Sequence, residues 1–140
     1  MFASLDISTS GLVAQQTRLT AISSNLANIS TLRDENGEVA PYRARYPIFV
    51  PDERHATSSG AVGVSVASIE TETIEPRYRY QPDHPLAIRS GKWKGYVAYP
   101  NIDIMAEFVD ALEATRAYEA NLGVMDITKS MMSETLRILA

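Results

Sequence analysis

The side chains able to move a proton near neutral pH are two histidines, His55 and His84, in a chain of 140 residues. His84 follows Asp83 and precedes Pro85, so a carboxylate stands beside an imidazole. A general base also needs a nucleophile or an oxyanion donor converging on the same pocket. The sequence supplies neither: G-x-S-x-G, the P-loop, G-x-G-x-x-G and H-E-x-x-H are all missing. The two histidines have no helical pairing and there is no cysteine, so no ligand set for a metal and no disulfide is expected. The expectation is a protein with no catalytic residues, no cofactor and no metal.

The bulk numbers limit the remaining classes. The chain is 45% hydrophobic and 21% charged, the composition of one folded domain. Its net charge of −4 argues against a nucleic-acid partner. The opening Met1-Phe2-Ala3-Ser4-Leu5-Asp6 has neither a basic region nor an apolar run, so signal cleavage is not expected. No apolar run approaches the roughly 20 residues that span a bilayer, so no direct membrane insertion is expected and the protein should be soluble when made.

With chemistry so sparse, function must reside in how the elements meet. Three parts differ in character: 1–32, 33–101 and 102–140. The first carries two charges, Asp6 and Arg18, among many Ser, Thr, Gln and Asn. Leucine recurs every seven residues at Leu5, Leu12, Leu19 and Leu26, with Ile22 and Ile29 in the companion column. A helix over about 5–30, ~39 Å long, follows. The third part reads as one long helix after Pro100-Asn101, over about 102–138. Ala111, Tyr118, Met125, Met132 and Leu139 form one heptad column; Phe108, Thr115, Leu122, Lys129 and Leu136 form the other. It holds seven acids and three bases and carries the whole net charge. The middle has strand and turn signals: Asn36-Gly37, an extended Tyr42–Val50 interrupted by Pro47, alternation over Val62–Val66 and over Arg77–Tyr80, and loops over Pro51–Ala61 and Gln81–Gly95. The fold class is α+β: long terminal helices pairing as a coiled coil around a small β-rich domain of about four strands.

The first helix shows small uncharged polar residues nearly all round, which suits a helix touched by protein on several sides, where a charge would be costly to desolvate. Gly11 costs about 1 kcal/mol inside a helix relative to alanine, which a close backbone approach would offset; the same holds for Gly123. Burial by neighbouring copies, as well as by the chain's own domain, is the favoured reading.

Those residues also carry a resemblance. Gly11-Leu12-Val13-Ala14-Gln15-Gln16-Thr17-Arg18-Leu19, with Ser24-Asn25-Leu26-Ala27-Asn28, resembles the N-terminal signature of flagellar axial proteins, the rod and hook subunits. Arg116-Ala117-Tyr118-Glu119-Ala120-Asn121 resembles their C-terminal signature. Pro41-Tyr42-Arg43, His84-Pro85, Gly95-Tyr96-Val97-Ala98-Tyr99-Pro100-Asn101-Ile102 and the short length are similar to the proximal rod proteins of the FlgC type. One departure stands out: between His84-Pro85 and Gly95 that family usually carries a short acidic stretch, whereas here Leu86–Lys94 is basic and holds the single Trp.

The resemblance implies a non-enzymatic structural subunit that leaves the cell unfolded through the flagellar type III export apparatus, without signal cleavage, and polymerises into the basal-body rod spanning the periplasm. The implied partners are other proximal and distal rod proteins, the adaptor between the inner-membrane ring and the rod, and the export apparatus. The expected assembly interface comprises Leu5, Leu12, Leu19, Ile22, Asn25, Leu26 and Asn28 on the first helix. On the second it comprises Phe108, Leu112, Tyr118, Glu119, Asn121, Leu122, Met125, Met132 and Leu136. Asn25 is read equally as an interface hydrogen-bonder and as a helix-ending residue; Asn28 is read as helix-ending. Glu119 is read first as an i, i+3 partner of Arg116, Met125 and Met132 as seam, and Tyr96 and Tyr99 as packing at the domain–helix junction. A sibling axial subunit and a soluble coiled-coil adaptor are the alternatives.

Overall fold

The computed structural model describes residues 2–56 and 60–139; Thr57–Ser59, inside the expected Pro51–Ala61 loop, and the His55 side chain lie outside the description. Helix α1 spans Phe2–Ala27 and helix α2 spans Ile104–Leu139. Between them lie β1 (Arg45–Asp52), a 3-10 turn (Glu53–His55), β2 (Gly63–Thr71), β3 (Arg77–Tyr80) and β4 (Tyr96–Tyr99).

Helix α1 accommodates its many hydroxyls by folding them back on the preceding turn. Thr9, Thr17 and Thr20 donate to the carbonyls of Leu5, Val13 and Gln16 at 2.8–2.9 Å, so each is satisfied without an outside partner. The helix stops as expected at Asn28, whose amide donates to the Ser24 carbonyl at 2.9 Å while its oxygen accepts from the Thr31 hydroxyl at 3.0 Å. Helix α2 is capped at its start by Asp103, whose carboxylate accepts from the Met105 N–H at 2.9 Å. The Asn36-Gly37 turn forms with Gly37 at φ 80°, tied by the Asp34 carboxylate to the N–H groups of Asn36 and Glu38.

The four expected strands are present, and they do not make one sheet. They form two separate antiparallel pairs, β1–β2 and β3–β4. In a two-stranded pair both strands are edges, so β1 tolerates Pro47 and Pro51, and it shifts register between Ile48 and Phe49. The β1–β2 pair and α2 both pack on α1, and Asn25 reaches both. Ser10 of α1 is stitched to this sheet: its hydroxyl accepts from the Val64 N–H at 3.0 Å. The β3–β4 pair builds its own small core around fully buried Val97. On the opposite face Trp93 stacks on Tyr78 with centroids 4.2 Å apart and meets Tyr96 edge-on at 5.4 Å. So Tyr96 packs within this unit, and the Tyr99 hydroxyl donates to Gln81 at 2.8 Å.

Three pairs fix how the helices run. Gly11 faces Asn121, Arg18 reaches Asp110 and Glu113, and Asn25 reaches Glu107. The helices are therefore antiparallel, and the last turns of α2 extend past the start of α1, which leaves Leu136, Ile138 and Leu139 exposed. The buried side chains of the seam are small: Ala14, Ala21 and Ala114, with Ile22. A Cβ on Gly11 would sit 3.0 Å from the Asn121 amide, so the close approach expected of this glycine is real; at Gly123 a Cβ would meet nothing within 4 Å.

Two substitutions separate these glycines. Gly11→Leu should destabilise the monomer by about 1–3 kcal/mol through overpacking. Gly123→Ala should stabilise it by about 1 kcal/mol through helix propensity. Urea unfolding followed by circular dichroism measures both.

Candidate assembly surface

The helix pair is locked by Asn25, which is 3% exposed and makes four hydrogen bonds. Its amide nitrogen donates to the Arg45 carbonyl at 3.0 Å and to Glu107 Oε1 at 3.1 Å. Its oxygen accepts from the Arg45 N–H at 2.9 Å and the Tyr42 hydroxyl at 3.1 Å. One side chain thereby joins α1, the start of β1, the segment before it and α2. Asn25 was read in sequence as either a bonder or a terminator; within the chain it is a bonder, and Asn28 ends the helix. Burial pushes the Glu107 carboxyl above the ordinary carboxylate range; the Asn25 bond opposes this, while Asp110 and Glu72 add to it. Arg18 offsets some of the local acid by pairing with Asp110 at 3.1 Å and Glu113 at 3.4 Å, a partly exposed and correspondingly weak network.

The face that α2 turns to α1 differs from the expected one by a single residue. Ala111, Met125 and Met132 of the first predicted column are half-buried, and Tyr118 sits at the margin. The companion column is Glu107, Ala114 and Asn121, all buried or half-buried. The predicted companions Phe108, Thr115, Leu122, Lys129 and Leu136 are exposed, because one residue rotates a helical position by about 100°. Phe108 is 54% exposed and Leu122 45%.

The proposed interface residues thus fall into three sets. Ile22 and Asn25 are buried by the chain itself. Leu5, Leu12, Leu19, Leu26, Asn28, Asn121, Met125 and Met132 are half-buried along the seam and its flanks. Phe108, Leu112, Tyr118, Glu119, Leu122 and Leu136 are exposed on α2, and Glu119 makes no ion pair with Arg116. Sequence reading passed over Met105 and Val109, which join Phe108 and Leu112 in an exposed i, i+3, i+4, i+7 stripe. That spacing was visible, but the seam columns had already claimed the helix.

His84 has a structural task. Its Nδ1 accepts from the Leu86 N–H at 3.1 Å, closing the turn after Gln81. Among the described residues no three His, Asp or Glu converge as a metal site, and no helix is long and apolar enough to cross a membrane.

Two α-helical termini paired antiparallel, with an uncovered apolar stripe on the longer one, define a protein built to be packed by others. Comparison with known proteins identifies the class. Residues 5–33 match the family described as flagella basal body rod protein, and residues 94–138 match the flagellar basal body rod FlgEFG protein C-terminal family. The chain is 40% identical to the flagellar basal-body rod protein FlgC of Borreliella burgdorferi, over 99% of this chain and 97% of that protein. It is 38% identical to FlgC of Salmonella typhimurium over 95% and 93%, and 35% identical to FlgC of Bacillus subtilis over 98% and 97%. The chain is a structural rod subunit of the flagellar basal body. Within that class it belongs to the FlgC family of basal-body rod proteins.

Two measurements test the locking site. Asn25→Ala removes four hydrogen bonds, leaves the part-buried Arg45 backbone groups without these partners, and should cost about 1–3 kcal/mol. Glu107 has a folded pKa raised above its unfolded one, so its stabilisation is complete below the ordinary carboxylate pKa and is lost as pH rises through the folded value. Glu107→Gln keeps the acceptor for Asn25 and removes this loss. Its stability relative to the natural chain should therefore rise as pH increases above the ordinary carboxylate pKa, as measured by urea unfolding; a relative stability that falls with pH would contradict the assignment.

Proposed function

We propose that the chain is a proximal rod subunit that polymerises through its terminal helices and transmits torque from the motor toward the hook. The observation that carries this reading is the outward face of α2. Met105, Phe108, Val109, Leu112, Leu122 and Ile127 are exposed, a density of apolar surface that a monomeric protein rarely leaves open. A rigid antiparallel pair locked by a buried asparagine suits a load-bearing element, since it resists sliding of one helix on the other.

The partners on this reading are other proximal and distal rod subunits, the adaptor between the inner-membrane ring and the rod, and the export apparatus. The chain travels unfolded and uncleaved to a rod that spans the periplasm, and it performs no catalysis. The domain division follows the same logic: 1–32 and 102–140 form the axial helices and 33–101 the middle portion. The interface residues retained for subunit contacts are the exposed and half-buried ones, above all Phe108, Leu112, Leu122 and Leu136.

The test is Leu122→Lys. Because Leu122 is already half-exposed, the monomer should keep its stability within about 0.5 kcal/mol. In a polymer the lysine would be desolvated at every subunit, costing several kcal/mol each time. The expected outcome is a folded, exported protein, no completed rod in electron micrographs of basal bodies, and loss of swimming. Complete rods and normal swimming would overturn the reading.

A further inference from the structure

The basic stretch Leu86–Lys94 is left unexplained by the rod reading. Residues 76–101 hold five cations, Arg77, Arg79, Arg89, Lys92 and Lys94, against one acid, Asp83. All five cations are exposed. Arg77 and Arg79 alternate with Tyr78 and Tyr80 along β3 and so lie on the Val97 face of the β3–β4 pair, whereas Arg89, Lys92 and Lys94 lie in the loop that joins β3 to β4, where Lys92 and Lys94 flank Trp93. The aromatic face of the pair carries Tyr78, Tyr80, Trp93 and Tyr96. Tyr80 is 63% exposed, and the Lys92 ammonium lies 5.3 Å from the centroid of the Trp93 ring. The rigid stack of Tyr78 on Trp93 presents this face as a preformed platform.

The complementary surface is on α2. Phe108, Leu112, Thr115, Glu119, Leu122 and Asp126 follow one another at alternating spacings of four and three, so they line one outer stripe. All six are exposed. The stripe begins apolar and ends acidic. The other acids of α2 are engaged: Asp103 caps the helix, Asp110 and Glu113 hold Arg18, and Glu134 holds Arg137. Glu119 and Asp126 have no ion pair among the described residues. Helix α1 cannot neutralise them in a neighbour, since its single cation, Arg18, is already paired.

We propose that the aromatic–cationic face of β3–β4 docks on the Glu119–Asp126 segment of α2 in a second copy of this chain. Lys92 and Lys94 approach Glu119 and Asp126, and the rings of Tyr80 and Trp93 cover Leu122. The inference rests on the rod-subunit reading, which requires the outer face of α2 to be covered by neighbouring subunits. It adds which part of a neighbour covers the acidic half. The contact is electrostatically guided, so it weakens as salt shortens the screening length below about 10 Å.

The chain contains no cysteine, which permits a direct test. Cells co-expressing the Lys94→Cys and Asp126→Cys chains should assemble basal bodies. After oxidation, these should contain a disulfide-linked dimer of the two variants that neither variant yields with a Val13→Cys partner on α1. In parallel, Lys92→Glu with Lys94→Glu should abolish rod completion, and adding Glu119→Lys with Asp126→Lys should restore it. Basal bodies that incorporate both cysteine chains without the cross-link would overturn the docking while leaving the rod reading intact. A Val13→Cys to Asp126→Cys cross-link would do the same, by showing that a helix covers the segment. Basal bodies lacking even the natural chain would remove both.

Discussion

The most deeply buried positions of the seam between α1 and α2 are mostly small residues. Ala14 and Ala21 from one side meet Ala114 from the other, and Gly11 approaches the Asn121 amide closely enough that even a methyl group would crowd it. Much of the rest follows from this constraint. Helices brought together on small residues gain little from burial per side chain, roughly 0.8 kcal/mol for each methylene-sized group. The pair therefore needs a second fastening, and Asn25 provides it. A buried amide with all its bonding capacity used is worth more for position than for energy: shifting α1 by one residue would leave Arg45, Tyr42 and Glu107 without their partner.

Although Met125 and Met132 line the seam, most of the large apolar residues of α2 lie on its other faces. In α2 those faces are open, from Met105 and Phe108 near its start to Leu136 near its end. For an ordinary domain this would be a liability to aggregation. On the proposed reading it is the means of assembly, because association would bury surface that folding alone leaves wet.

The outline of this arrangement was legible in the sequence for physical reasons. Heptad spacing over many turns survives in any reading of α1 and α2, and the Asn36-Gly37 dipeptide announces its turn through the positive φ that Gly37 adopts. Asn28 as a helix end was equally readable. The choice of seam column on α2 was not. Spacing alone favours the more apolar column, Phe108 with Leu122 and Leu136, yet the chain packs through Glu107, Ala114 and Asn121. Hydrophobic periodicity reports which residues will finally be buried, without saying whether the chain or a neighbour buries them. In a protein that completes its packing only in an assembly, the strongest stripe can belong to the assembly. The division of the strands into two sheets was hidden for a different reason: pairing depends on the direction in which Thr71 to Arg77 leads the chain, and that short connection carries no periodic signal.

Charge follows the same partition. Helix α1 packs against both α2 and the β1–β2 sheet, and its exposed threonines satisfy their hydroxyls on the helix backbone. Arg18 lies where two carboxylates of α2 receive it. Glu107 is drawn into the seam, where burial raises its pKa. Elsewhere the balance of charge differs between regions: residues 76–101 hold five cations and one acid, and α2 has an excess of acids. Within one chain these regions lie on different elements and do not neutralise each other. A charge pattern left unresolved by folding, set beside an apolar pattern left uncovered by folding, describes a subunit whose native environment is a set of neighbouring subunits.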